Sequence, residues 1–232
     1  MKLNTPNKIT LIRCVLCVVC VLLLFPYQQY GLSVYHIPFA PEGVTPLIGN
    51  YTGFDPNEVY TFGFSILDLL ACIVFVAASI SDSIDGHLAR KNHQITNFGK
   101  FMDPLADKFL VDGTLIMLCF RGFSEVNGME FGIYMPCLIV VFMIGRDLMV
   151  DGVKMLASSK GKVIAANKWG KSKTVAQMIV IPFYILNGFP FYYLIGQYTE
   201  IFMIVCMVLV LTLSWVSGII YLYQGREVFK EN

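Results

Sequence analysis

The chain has 232 residues, 56% of them hydrophobic and 14% charged, with a mean hydropathy of +0.65. That balance excludes an ordinary soluble domain and points to a polytopic membrane protein. A formal net charge of +1 excludes a generally basic nucleic-acid binder, so no nucleic-acid partner is expected.

Residues 1–10, MKLNTPNKIT, are a short polar lead-in, and Leu11 to about Pro26 is the first apolar run. Its basic flanks imitate a signal peptide, but no small-residue cleavage site follows Pro26, so a retained first helix is expected. Residues 27–60 hold many turn formers and tyrosines and read as an external loop with interfacial anchors. A second helix, about Phe62 to Ser81, spans about 30 Å at 1.5 Å per residue, and helical structure continues to Arg90. The third runs from near Asn97 to Phe120, with Pro104 either in its first turn or at a bend. The fourth, about Ile133 to Leu156, carries Arg146, Asp147 and Asp151, which are functional or else neutralise one another. The loop Ala157–Lys173 is the most basic segment. A fifth helix starts at Thr174 and is interrupted at Asn187, Gly188 and Pro190, and a sixth covers about Phe202 to Gln224.

Fifteen of the 17 basic residues fall in four segments: Lys2 to Arg13, Arg90 to Lys108, Lys154 to Lys173, and Arg226 to Lys230. By the positive-inside rule these are cytoplasmic, which predicts a single all-α membrane domain over 1–232 with six transmembrane helices and both termini cytoplasmic. The seven cysteines all lie in or beside apolar runs and read as reduced packing residues, including the Cys14, Cys17, Cys20 series.

The densest chemistry lies between the second and third helices, in the stretch SDSIDGHLARKNHQITNFGKFMDPLADK that starts at Ser81. Asp82 and Asp85 are three apart at the end of one apolar run, and Asp103 and Asp107 four apart at the start of the next. Either spacing sets a pair on one helical face. Two such helices meeting there converge four carboxylates, a donor set for one or two hard divalent ions such as Mg2+ or Mn2+. Two ions about 4 Å apart are a known device for in-line displacement at phosphorus. The plainer reading is solvated loop charge. Another is a divalent-cation transporter, since intramembrane aspartates line ion paths. Only Asp68 and Asp112 lie deeper, too few to line a path across.

With Gly86, Ala89, Arg90 and Gly99, the aspartates spell D-x2-D-G-x2-A-R-x8-G-x3-D-x3-D. The string resembles the signature of the CDP-alcohol phosphatidyltransferases, integral membrane enzymes that move a phosphatidyl group from a CDP-linked lipid to an alcohol. The resemblance implies that family's fold, a homodimer, and a site at the cytoplasmic face of the cell membrane. It implies two Mg2+ or Mn2+ ions on Asp82, Asp85, Asp103 and Asp107, with Asp107 also the base for the acceptor hydroxyl. It implies that CDP-diacylglycerol is bound by Arg90 at the pyrophosphate, by Gly86 and Ala89 against the cytosine, and by Asn7. The opening PNKITLIR and the later AAN-x-x-GK-x-KT are similar to the phosphatidylglycerolphosphate synthases of that family. That second likeness implies sn-glycerol 3-phosphate as acceptor, its phosphate bound by Arg146, Lys171, Lys173 and Thr174. Asp147 departs from the Glu that often follows the arginine in relatives. A capped helix start accounts for Asn7 and Arg13 equally well, and attraction to anionic membrane lipids accounts for the basic loop. Acceptors such as those of cardiolipin or phosphatidylinositol phosphate synthases also stay open.

Overall fold

The computed structural model describes the backbone at residues 5–25, 36–38, 63–91, 97–122, 125–126, 129–130, 133, 135–161, 168–195 and 198–228. Within these, side chains at 5–9, 36–38, 63, 82–91, 97–98, 100, 121–130, 168, 192–193 and 227–228 lie outside the description. Most of the expected external loop 27–60 also lies outside the described residues.

The long elements are helices: α1 (Thr5–Leu23), α2 (Ile66–Lys91), α3 (Asn97–Gly122), α4 (Cys137–Ser159), α5 (Lys168–Ile185) and α7 (Thr199–Gln224), with a five-residue α6 (Phe191–Ile195) before the last. Two short antiparallel pairs accompany them. β1 (His36–Pro38) pairs with β2 (Gly63–Ser65) in the register His36 to Ser65, and β3 (Glu125–Val126) pairs with β4 (Met129–Glu130).

Helix α1 starts six residues before the apolar run does. Pro6 falls at its second position, where a missing N–H leaves no intrahelical bond unmade. Pro104 lies inside α3 at its eighth position, beyond the first turn. Helix α5 begins at Lys168, six residues ahead of the expected start, so Lys171 and Lys173 are helical and not in the basic loop. Lysines at a helix N-terminus oppose the macrodipole, which is why that stretch reads as loop. The gain that outweighs the dipole is tertiary: Lys173 is buried against a carboxylate of α4.

The helices carry aliphatic residues on their outer faces as well as in an apolar core. On α1 the buried positions are Thr10, Arg13, Cys17 and Cys20, continued by Leu24 just past its end, one face at spacings of three and four, while Leu11, Ile12, Val15, Val18 and Leu22 are exposed. Helix α7 likewise buries Ser214 and Ser217 and exposes Val205, Leu209, Val216 and Ile219. Aliphatic outer faces, with a few polar groups set inside among apolar core residues, suit hydrocarbon solvent. Helix α7 is long and apolar enough to cross a membrane; the apolar parts of α1 and α2, Thr10–Leu23 and Ile66–Ser81, are shorter.

Helix α1 packs on α2 and α3, whereas α4 and α5 pack on α7; contacts of α5 with α2 and α3, and of α3 with α4, join the two groups. Small residues let the first three backbones approach. Ala71, Ala78 and Ala106 are buried, and a Cβ at Gly113 would sit 2.9 Å from Val21 Cγ2. The cysteine thiols point into these seams. Cys17 Sγ donates to the Ala106 carbonyl at 3.4 Å, and Cys20 Sγ to the Ala71 carbonyl at 3.6 Å, while Cys20 also meets Thr114 Oγ1 at 3.8 Å. All seven are free thiols, as the sequence reading expects.

After α5 the chain turns through Asn187 and Gly188, both at positive φ (53° and 77°). A Cβ at Gly188 would lie 2.5 Å from Thr199 Cγ2 and 2.6 Å from Ile133 Cδ1, so only glycine fits. The edge-on stacking of Phe191 on Phe183, with centroids 4.8 Å apart, seats α6 on the end of α5.

Candidate active site

The contacts of Cys20 set the register of the first three helices. Its thiol touches Ala71 near the start of α2 and Thr114 in the second half of α3, so those two residues share a level. Because the end of α1 meets the start of α2, these two run antiparallel. Thr10, Cys17 and Cys20 meet α3 at 103, 106 and 114 in ascending order, so α1 and α3 run parallel.

Counting from that shared level, Asp82 lies eleven residues along α2 and Asp103 eleven residues back along α3, both about 16 Å away at 1.5 Å per residue. Asp107 lies about 10 Å away and Asp85 about 21 Å. The four aspartate positions therefore occupy a band about 10 Å deep at one end of the bundle, on helices joined by a five-residue connection (92–96). The backbone at Asp82, Asp85, Gly86, Ala89 and Arg90 is helical; their side chains, and that of Asn7, lie outside the described residues. Asn7 is one turn before Thr10 on α1, at the same end.

Asp103 is the best defined of the four. Arg13 Nη2 donates to its Oδ1 at 2.7 Å and Thr10 Oγ1 to the same oxygen at 3.2 Å. Arg13 is 1% exposed, whereas the Asp103 side chain is 44% exposed. Asp107 is half-buried. Beside it Lys108 forms an ion pair with Asp151 of α4.

A second polar cluster links α4, α5 and α7. Arg146 is buried and its three nitrogens each find a partner: Nε donates to the Ser214 carbonyl at 2.8 Å, Nη1 to Asp147 Oδ1 at 2.7 Å, and Nη2 to Ser217 Oγ. Lys173 Nζ donates to the other oxygen of Asp147 at 2.6 Å. One carboxylate thus bridges two buried cations. Asp112 of α3, five residues beyond Asp107, is within electrostatic reach of Asp147, Lys173 and Lys108, so the two clusters adjoin.

The proposed acceptor residues are not all brought together. Arg146 and Lys173 meet through Asp147, but Lys171 is exposed, two residues and hence about 200° round α5 from Lys173. Thr174 is part-buried and bonds back to the Gly170 carbonyl at 3.3 Å.

Sequence reasoning quoted Thr10 and Arg13 within PNKITLIR, as a likeness to phosphatidylglycerolphosphate synthases or a helix start, without giving either a role at the aspartates, and missed Ser214, Ser217 and Gly218 entirely. The signals were faint. A buried-face arginine in an otherwise aliphatic helix, and serines with a glycine in the most apolar one, are anomalies that a membrane pattern makes visible.

Gly218 is where α7 meets the guanidinium: a Cβ there would lie 3.1 Å from Arg146 Nε and 3.2 Å from its Cγ. Gly218→Val is expected to push Arg146 off Ser214 and to lower stability by about 1–3 kcal/mol, the usual range for overpacking. Thermal unfolding in detergent checks this, and an unchanged midpoint contradicts the packing.

Four aspartate positions on two helices at one end of a membrane-type bundle, in this spacing, suit the phosphoryl-transfer class of protein. The chain belongs to the CDP-alcohol phosphatidyltransferase family, whose sequence profile matches residues 59–216. It is 31% identical over 229 residues to the CDP-diacylglycerol–glycerol-3-phosphate 3-phosphatidyltransferase of Bacillus subtilis, covering 99% of this chain and 95% of that one. It is 43% identical over 156 residues to the protein of the same name from Mycoplasma genitalium, covering 66% of this chain and 61% of that one. A cardiolipin synthase (CMP-forming) from rice is 35% identical over 112 residues, which is 47% of this chain and 34% of the rice protein.

Proposed function

We propose that this chain transfers the phosphatidyl group of CDP-diacylglycerol to sn-glycerol 3-phosphate, giving phosphatidylglycerophosphate and CMP. The observation that carries the reading is the end-to-end likeness to the Bacillus subtilis protein of that activity. The cardiolipin synthase likeness covers under half the chain and favours no other acceptor. Membership of a transferase family leaves the cation transporter without support.

The family is generally dependent on divalent metal. Four carboxylates in one band of the bundle are hard oxygen donors and fit Mg2+ or Mn2+, so Asp82, Asp85, Asp103 and Asp107 are the residues that would hold two ions. Such ions, when bound, disperse the negative charge that develops on the phosphoryl oxygens and on departing CMP.

The chain's own residues do the rest. The acceptor hydroxyl oxygen bonds to the phosphorus that carries the diacylglyceryl group, the P–O bond to CMP breaks, and the hydroxyl proton passes to a carboxylate oxygen of Asp107. Arg90 binds the pyrophosphate as a planar fork, Gly86 and Ala89 leave a flat surface for cytosine, and Asn7 lies at the same end of the bundle. Arg146 and Lys173, joined through Asp147, bind the acceptor phosphate, while Lys171 on the exposed side of α5 and Thr174, bonded to the Gly170 carbonyl, stand apart from them.

The setting is one membrane-embedded domain over 1–232, a homodimer in the cell membrane with six spans and with termini and site at the cytoplasmic face. Supplying purified protein with CDP-diacylglycerol and one acceptor at a time is the test. CMP release is expected with glycerol 3-phosphate alone; release with phosphatidylglycerol or inositol phosphate instead reassigns the acceptor.

A further inference from the structure

Arg13 poses a physical question. It is a full charge, 1% exposed, on a helix whose outer face is aliphatic, and it reaches a carboxylate ninety residues away in the chain. Neutralising a buried arginine requires only a nearby anion. Here Thr10, one turn earlier on the same face of α1, sends a second donor to the very oxygen that Arg13 holds, at 3.2 Å against 2.7 Å. Two donors one turn apart on α1, both on one oxygen, restrict a carboxylate's rotation as well as balancing its charge. The recipient does not need them for its own burial, because the Asp103 side chain is 44% exposed. Both donors take Oδ1, and among the described residues Oδ2 carries no hydrogen bond. Asp103 also stands four residues from Asp107, a like-charge spacing that is unfavourable until a cation lies nearby, and Arg13 supplies one permanently.

We propose that Thr10 and Arg13 are positioning residues that orient Asp103 for a divalent ion, making the first helix part of the metal centre. The inference rests on the reading of Asp103 as a metal ligand. Outer-shell partners of metal ligands typically govern 10- to 100-fold in metal affinity.

The test is Mn2+ titration of the purified full-length protein without substrates, followed by electron paramagnetic resonance of the free ion, for Thr10→Val, Arg13→Lys and Asp103→Asn. Arg13→Lys keeps the charge and loses the fork, and is expected to weaken Mn2+ on the order of 10-fold or more. Thr10→Val is nearly isosteric, keeps the fold if Arg13→Lys does not, and is expected to weaken Mn2+ about 5-fold, as for one lost hydrogen bond. Unchanged or tighter Mn2+ binding in Thr10→Val and in folded Arg13→Lys, with binding lost in Asp103→Asn, overturns the inference and leaves the site reading intact. Unchanged binding in Asp103→Asn overturns the site reading itself. A purely structural role would lower the melting temperature of Thr10→Val with its Mn2+ affinity unmoved, and that result also sinks the proposal.

Discussion

Asp107→Asn is expected to fold, to bind CDP-diacylglycerol with a KM within a few-fold of the parent, and to turn over about 10²–10⁴ times more slowly, the usual contribution of a positioned base. The substitution keeps the size and hydrogen-bonding reach of the side chain and removes its ability to take a proton. Asp107 is half-buried on α3, five residues short of Asp112 and beside the Lys108–Asp151 ion pair, so the helix has other contacts to hold its place. Asp103→Asn should behave differently. Its carboxylate accepts from Arg13 and Thr10, and its loss takes an anion away from a buried guanidinium, so stability falls together with metal and donor binding. Steady-state kinetics with each substrate varied, alongside melting curves, separate the two patterns. Turnover of Asp107→Asn within tenfold of the parent contradicts its role as base.

The spacing of the four aspartates was legible because helices fix it locally: offsets of three and four residues set each pair on one face whatever the rest of the chain does. That α2 continues through the motif followed from the same pattern, and it does, as far as Lys91. What sequence could not supply was the third wall. Nothing local tells that Thr10 and Arg13 face Asp103, because the pairing depends on which helices pack and at what height, and here the register is set by contacts such as Cys20 on Ala71 and Thr114. The start of α5 was misread for a related reason. Lysines in a first helical turn, here Lys168 and Lys171, are unfavourable alone, and the compensating contact comes a turn later and from another helix, where Lys173 meets the carboxylate of Asp147. Once that stretch is helical, the 100° step per residue separates Lys171 from Lys173, a distinction invisible while both sat in a loop. That Arg146 and Asp147 neutralise one another was legible from their adjacency, and they do pair, but the place of Asp147 between two cations was out of reach, being a fact of three helices, α4, α5 and the α7 that carries Ser214 and Ser217.

Charge counting around Asp147 gives the second large effect, in which stability and acceptor binding should part company. The buried cluster holds two cations and one anion, Arg146 and Lys173 against Asp147, with side chains 6%, 8% and 12% exposed. Lys173→Met leaves one ion pair, Arg146 with Asp147, and should lower stability by about 1.5–3 kcal/mol, the contribution of a hydrogen bond between charged groups. Asp147→Asn leaves two buried cations facing each other with no anion between them. Removing one partner of a buried pair costs about 3–5 kcal/mol, so this variant should be the least stable of the set. Acceptor binding should follow the opposite order. If the phosphate of glycerol 3-phosphate is held by Arg146 and Lys173, Lys173→Met loses a charge-assisted bond of about 1.5–3 kcal/mol and its acceptor KM should rise on the order of 10- to 100-fold, with donor KM little changed. Lys171→Ala, on the exposed side of α5, should do less. Melting temperatures and both KM values for Lys173→Met, Asp147→Asn and Lys171→Ala decide between a binding pocket and a structural ion cluster. An acceptor KM unmoved in Lys173→Met, while Asp147→Asn is strongly destabilised, would show that the cluster only ties α4, α5 and α7 together, and would move the phosphate site towards Lys171 and the basic approach to α5.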